Sequence, residues 1–221
     1  MIQARGLACD SPEGQPLVEG LDLALRRGGN LLVTGTSGSG KSRLLKVLAG
    51  LERPRRGEVR VGDIAVWPGD GALALAGHVR VGFAFATGGL LSNLSLADNV
   101  ALPLRFLGVP GAAAARRAAA ALERLGLGSV SHLRPHAVGG SARKHANLAR
   151  VLALEPELVL LDGPLEGLDA PDRGAALEVV RAWAGDPACT LVVATEDADP
   201  FVGLRADHLR LGPAPAPMEP T

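Results

Sequence analysis

The stretch Gly35-Thr36-Ser37-Gly38-Ser39-Gly40-Lys41-Ser42 fits the pattern G-x-x-x-x-G-K-[ST], and its residue types suit the holding of a chain of phosphates. Glycines at 35, 38 and 40 admit backbone angles closed to other residues, so successive N–H groups can converge on one anion. A helix opening at Lys41 would add the positive potential of its N-terminus. Lys41 would reach the outer phosphates, and Ser42 would offer its hydroxyl to a magnesium ion. All eight residues are candidate ligands of a nucleoside triphosphate. The competing reading is a simple glycine-rich turn in a chain that holds 29 glycines. A Lys-Ser pair at the right offset between a strand and a helix argues against it.

A strand that delivers a carboxylate would complete such a site. Residues 158–161 are an uninterrupted apolar run ending in Asp162, the pattern of a parallel strand buried on both faces. Asp162 would hold Mg²⁺ indirectly, opposite Ser42.

The elements that must position these groups read as α/β. Strands are expected at 1–9, 17–25 and Asn30–Thr34, followed by the loop and a helix over 41–49. Arg56–Val61 and 63–67 alternate like short antiparallel strands, and 78–85 is an apolar run. Residues 92–135 turn helical, with an alanine-rich helix over 112–125 whose polar side is Arg116, Arg117, Glu123 and Arg124. Helices follow at 141–154 and 172–183, and strands at 190–194 and 207–211. The tail 212–221 holds four prolines and is expected to be disordered. Lys plus Arg and Asp plus Glu both total 23, so no net field recruits nucleic acid or an acidic membrane. No apolar run approaches the roughly eighteen residues that span a bilayer, and residues 1–9 lack the regions of a signal peptide. Cys9 and Cys189 have no metal-ligand spacing and read as buried apolar residues of a cytosolic protein, with no disulfide between them. The five histidines are scattered, so surface or capping roles are the default. Trp67 and Trp183 read as packing residues.

The order of further elements is specific. The phosphate loop, a Phe-x-x-Gly-Gly segment beginning at Phe85, a helical insert, Gly139-Gly140, the strand into Asp162 and then Gly167-Leu168-Asp169 resemble the ATP-binding subunits of ABC transporters. The resemblance covers residues 2–211. Residues 81–106 look most like subunits of the lipid-trafficking Mla and Mce type. The resemblance implies a P-loop NTPase fold of the ABC-ATPase kind over 1–211. Its mostly parallel core sheet would carry an antiparallel β subdomain and a helical insert over 92–153. It also implies ATP with Mg²⁺, a second ATP-binding subunit in a head-to-tail sandwich, and a membrane permease contacted by the loop near 85 and the insert. Nucleotide contacts would fall to residues 35–42, Asp162 and Asp169, with Gly139 and Gly140 capping the partner's ATP, and Ser42 and Asp162 holding the metal. The chain would then sit in the cytoplasm, attached peripherally to the inner or cell membrane through its partner.

Residue by residue, the resemblance breaks where hydrolysis is done. The family stacks adenine on an aromatic at a position that falls near Pro12, yet no aromatic precedes Trp67. By analogy with base stacking on other proteins, that loss is on the order of 1–3 kcal/mol. The family's glutamine after Phe85 is Ala86, its glutamate after Asp162 is Gly163, and its histidine after the strand at 190–194 is Glu196. The signature Leu-Ser-Gly-Gly-Gln reads Ala137-Val138-Gly139-Gly140-Ser141, with Val138 in place of the serine. Glu196 is the sharpest change, because a carboxylate facing a γ-phosphate at about 4 Å is repelled by about 4 kcal/mol at an effective dielectric near 20. Its sign favours ADP, or an empty site, over tightly held ATP.

Three readings follow. The favoured one is an ATP-binding transport subunit with hydrolysis impaired or lost, acting as a structural or regulatory partner. The second is a working transport ATPase whose base has moved to Glu166 or Glu196. The third is a nucleotide-free scaffold that holds a membrane protein.

Overall fold

Strand alternation decides the layout. In the computed structural model, which describes residues 1–87 and 89–212, β1 (Ile2–Asp10), β2 (Pro16–Leu25), β4 (Arg56–Val61) and β5 (Ile64–Trp67) form an antiparallel sheet in the order β2-β1-β4-β5. The second sheet takes β3 (Asn30–Thr34), β6 (Val81–Ala84), β7 (Leu158–Asp162), β8 (Thr190–Thr195) and β9 (Asp207–Arg210). It runs parallel throughout in the order β6-β7-β8-β3-β9. Gly88 and the proline-rich stretch from 213 on, where disorder is expected, lie outside the described residues.

Alternate residues of the parallel strands serve two cores, which is why 158–161 carries no polar residue. Leu158 and Leu160 face Leu31, Val33 and Val192 together with Leu44, Leu45 and Leu48 of α1 (Lys41–Leu48) and Ile2, Leu7 and Val59 of the antiparallel sheet. Val159 and Leu161 turn to the opposite face with Leu191 and Val193, under the helices. Leu160 is fully buried, so Leu160→Ala would cost about 2–5 kcal/mol. The short α2 (Ala72–Leu75), absent from the sequence reading, spans one turn, too few residues for an apolar period to show.

The helical face holds α3 (Leu96–Phe106), α4 (Gly111–Arg124), α5 (Gly140–Ala153) and α6 (Ala170–Gly185). Ser95 caps α3, its Oγ accepting the Asp98 N–H at 3.0 Å and donating to Asp98 Oδ2 at 2.7 Å. Small residues let α4 pack closely, with Ala114, Ala118 and Ala121 buried beside Leu122. Helix α6 starts at Ala170, two residues ahead of the expected 172, because Asp169 Oδ1 accepts the Asp172 N–H at 3.2 Å and Pro171 suits the first turn.

One histidine departs from the surface-or-capping default. His145 is 3% exposed, and its two ring nitrogens contact Leu125 O at 3.1 Å and Asp172 O at 2.9 Å, joining α5 to the end of α4 and to α6. The cysteines are free and buried, one in each core. Burial pushes the Cys9 thiol up to about 11 and the Cys189 thiol up to about 12.

Candidate functional site

The loop between β3 and α1 is built by close approach. Gly40 caps α1 with φ 93°, and a Cβ there would come within 2.9 Å of the Leu17 side chain. Gly35 is needed for space rather than for its angle, since its φ is ordinary and a Cβ would meet Leu211 O at 2.8 Å. Among the described residues Ser39 Oγ is buried without a hydrogen-bond partner, while Thr36, Ser37 and Gly38 stand exposed at the tip. Lys41, 8% exposed, folds its ammonium back to donate to Gly35 O at 2.8 Å and Thr36 O at 2.7 Å. A polar cradle with an orphaned hydroxyl and a buried cation fits a polyphosphate, whose oxygens would replace those carbonyls.

β7 carries Asp162 to the head of this loop. Ser42 Oγ donates to Asp162 Oδ1 at 3.0 Å, and Asp162 is 7% exposed. Two hard oxygen donors side by side beside a phosphate cradle suit magnesium. When bound, that ion would neutralise phosphate charge.

The next residue begins a different region. Gly163 sits at φ 53°, in the left-handed region, and a Cβ on it would run into the Glu166 carboxylate, with Cδ 2.6 Å away. The turn closes through Glu166 N–H to Gly163 O at 3.2 Å. Lys144 of α5 clamps it from the other side, donating to Gly163 O at 2.7 Å and Glu166 O at 2.5 Å. Burial lowers the Lys144 pKa, and the Glu166 and Asp162 carboxylates oppose that shift. Beyond β8, the Glu196 N–H donates to Glu166 Oε1 at 3.4 Å, and Glu196 Oε1 lies 3.8 Å from the Lys41 ammonium. The Glu196 side chain is half exposed, so this pair is worth roughly 0.2–1 kcal/mol, far below the unscreened figure.

Other expected residues fall elsewhere. Gly139 is the N-cap of α5 with φ −67°, and no side chain caps the helix. Val138 packs against the helical core, and its carbonyl accepts from Arg143 at 2.6 Å. A cavity of about 470 Å³ is bordered by Ala86, Thr87, Gly140, Arg143, Lys144 and Glu166, and not by the phosphate loop. Asp169 caps α6 and is exposed. Near Pro12, the turn between β1 and β2 is closed by Ser11 N–H to Gln15 O at 2.7 Å and offers no ring to a base.

Sequence reasoning missed Lys144 and Arg150. Arg150 donates to Gly89 O and to Asn147 Oδ1, tying the loop after β6 to α5, and burial lowers its pKa. Both side chains stand on α5 and meet loops distant in sequence. Their only signal is a cation on the face of a helix otherwise rich in small apolar residues.

The comparisons with known proteins agree with this geometry. The family model described as ABC transporter matches residues 18–166. The lipoprotein-releasing system ATP-binding protein LolD of Chromohalobacter salexigens is 33% identical over 201 residues, covering 89% of this chain and 85% of that protein. The macrolide export ATP-binding/permease protein MacB 1 of Aeromonas hydrophila is 35% identical over 202 residues, covering 89% of this chain and 31% of that protein. In fold, the chain superposes on the dimeric post-hydrolysis state of the ATP-binding cassette MJ0796 bound to ADP and Pi. The TM-score is 0.85 at 24% identity, covering 96% of this chain and 94% of that one.

Proposed function

The chain belongs to the ABC transporter family, as an ATP-binding component of a transport system, and from that premise we propose that it binds Mg-ATP and hydrolyses it slowly. One observation carries this reading. A complete cradle, with Lys41 buried in it and Ser42 3.0 Å from Asp162, adjoins a position 163 that bears no side chain. The cradle would take the phosphates, while the groups that activate water at 86, 163 and 196 in the family are changed. Position 196 carries a charge that competes with the γ-phosphate for Lys41, which supports a preference for ADP.

Calorimetry of Mg-ATP and Mg-ADP against the purified protein tests this, with Lys41→Ala as control. Micromolar binding lost in the variant is the expected outcome. No binding at millimolar nucleotide would leave the third reading, a scaffold without nucleotide.

The partners we assign are a membrane permease and a second ATP-binding subunit. MacB 1 supports the first, since its name joins an ATP-binding and a permease function in one protein. The dimeric MJ0796 cassette supports the second. The permease would seat in an apolar groove of about 290 Å³ between β6, α3 and α5, bordered by Phe83, Phe85, Leu91, Leu102 and Phe106. Phe106 is 83% exposed and Leu91 49%. Because Phe106 stands free, Phe106→Asp should leave the melting temperature within a degree or two yet abolish recovery of a membrane-protein partner. Among the described residues no helix is long and apolar enough to cross a membrane, and we place the chain on the cytoplasmic face, held by that groove. The cargo class we favour is lipid-linked, supported by the likeness of 81–106 to lipid-trafficking subunits and by the lipoprotein-releasing system of LolD. Mass spectrometry of the purified complex checks it, and a complex carrying no lipid would count against it.

A further inference from the structure

We infer that Glu166 has taken over the place of the missing side chain at 163, and that its carboxylate is the general base for the hydrolysis this protein retains. The inference rests on the ATP-binding reading above and adds to it the identity of a catalytic residue.

Four observations place the carboxylate. A Cβ on Gly163 would collide with it, so the volume in which a side chain at 163 would begin is already filled by the end of Glu166. Gly163 is what permits this, because its φ of 53° turns the chain back after Asp162, and the Glu166 N–H closes the turn on Gly163 O at 3.2 Å. The turn is then fixed at both ends by the Lys144 ammonium, which holds Gly163 O and Glu166 O at once. The head group itself is steered by the Glu196 N–H to Oε1 at 3.4 Å.

These contacts answer the usual objection to a loop carboxylate, that it is merely solvated. Glu166 is exposed and reachable by water, yet its backbone is pinned by a half-buried cation and its oxygen is met by a backbone donor. It also borders the 470 Å³ cavity with Ala86 and Thr87, giving water a route to it. Glu196 is the other exposed carboxylate nearby, but its Oε1 is directed at Lys41, on the phosphate loop. In the step assigned here, Glu166 accepts a proton from a water whose oxygen bonds to the γ-phosphorus. The bond from that phosphorus to the bridging oxygen breaks, its electron pair leaves on ADP, and the protonated Glu166 then releases its proton to phosphate or solvent.

Two measurements on the full chain test this. In the first, Mg-ATP affinity is read by calorimetry and phosphate release by single-turnover assay, for wild type, Glu166→Gln and Glu196→Gln. Glu166→Gln should keep its ATP affinity within about threefold while phosphate release falls on the order of 100-fold. Three outcomes overturn the assignment and leave nucleotide binding standing: unchanged release in Glu166→Gln, release lost only in Glu196→Gln, or wild type that binds ATP and never releases phosphate. Wild type that binds no nucleotide overturns the underlying reading instead. The second measurement needs no nucleotide. In a thermal double-mutant cycle, Gly163→Ala should lower the melting temperature more in the Glu166 background than in the Glu166→Ala background, since backbone strain cancels and the collision does not. Absence of coupling would show that the carboxylate is not where the structure puts it.

Discussion

Asp162 and Gly163 are neighbours in the chain and belong to regions built on opposite plans. The cradle we propose for phosphates is made of backbone groups, a buried lysine and a buried aspartate, all fixed by the packing of β3, α1 and β7. Changing any of them disturbs the core or leaves a buried polar group unpaired. The edge we propose for hydrolysis, beyond Gly163, presents Glu166 and Glu196 as single exposed side chains on turns. Those side chains can be exchanged at little cost to stability. A fold of this kind can therefore keep its capacity to bind phosphates while its chemistry is rewritten at the rim.

The largest effect should come from breaking the cradle. Lys41→Ala removes the one buried cation of the loop and frees Gly35 O and Thr36 O. Mg-ATP affinity should fall at least on the order of 100-fold, about 2.7 kcal/mol. A loss below threefold by calorimetry would mean that the cradle is not the binding half of the comparison.

Next in size is an attempt to repair the edge. The sequence alone suggests that Gly163→Glu, together with Ala86→Gln, Val138→Ser and Glu196→His, would restore activity. The structure argues otherwise for position 163, since a side chain there meets both a left-handed backbone and the Glu166 carboxylate. Backbone strain alone costs about 1–2 kcal/mol. Gly163→Glu should therefore lower the melting temperature and fail to raise phosphate release. Adding Glu166→Ala should recover part of the stability and let the new glutamate act. If Gly163→Glu alone melts like wild type and hydrolyses faster, Glu166 does not fill that space.

What the sequence disclosed follows the same division. The cradle was legible because its pattern is local: 35–42 is contiguous, and the apolar run into Asp162 announces a buried strand. The antiparallel strands and most helices were legible for the same reason. The absence of a side chain at 163 was also visible. Its filling by Glu166 was not, because that depends on a φ value and on a turn held by Lys144 from another helix. His145 was misjudged for a like reason. A lone histidine on a helix carries no mark of the carbonyls on α4 and α6 that enclose it.

Lys144 offers a smaller and more selective break. Lys144→Met keeps the aliphatic stem and removes the desolvated charge that burial already disfavours. Melting temperature should change little, while the 163–166 turn loses its clamp and phosphate release falls on the order of tenfold. That lies short of the roughly 100-fold expected for Glu166→Gln, because a positioning group is lost and not the base. ATP affinity should hold, since Lys144 donates to the turn and not to the loop. A parallel loss of affinity would merge the two regions that the comparison separates.

The smallest effect lies where the regions touch. Glu196 Oε1 stands 3.8 Å from the Lys41 ammonium, on a side chain 52% exposed, so one charge from the rim reaches the cradle. Glu196→Gln removes that charge and nearly preserves shape. At such exposure the pair is worth roughly 0.2–1 kcal/mol, so ATP affinity should rise by about 1.4- to fivefold. ADP affinity should rise less, because ADP brings no γ-phosphate to compete with the carboxylate. The ratio of the two affinities is thus the sharper readout, and it should narrow further as salt is raised, since screening acts first on exposed charges. An ATP-to-ADP ratio that is unchanged in the variant at low salt would show that Glu196 turns away from Lys41 when nucleotide enters. Rim and cradle would then be electrostatically independent.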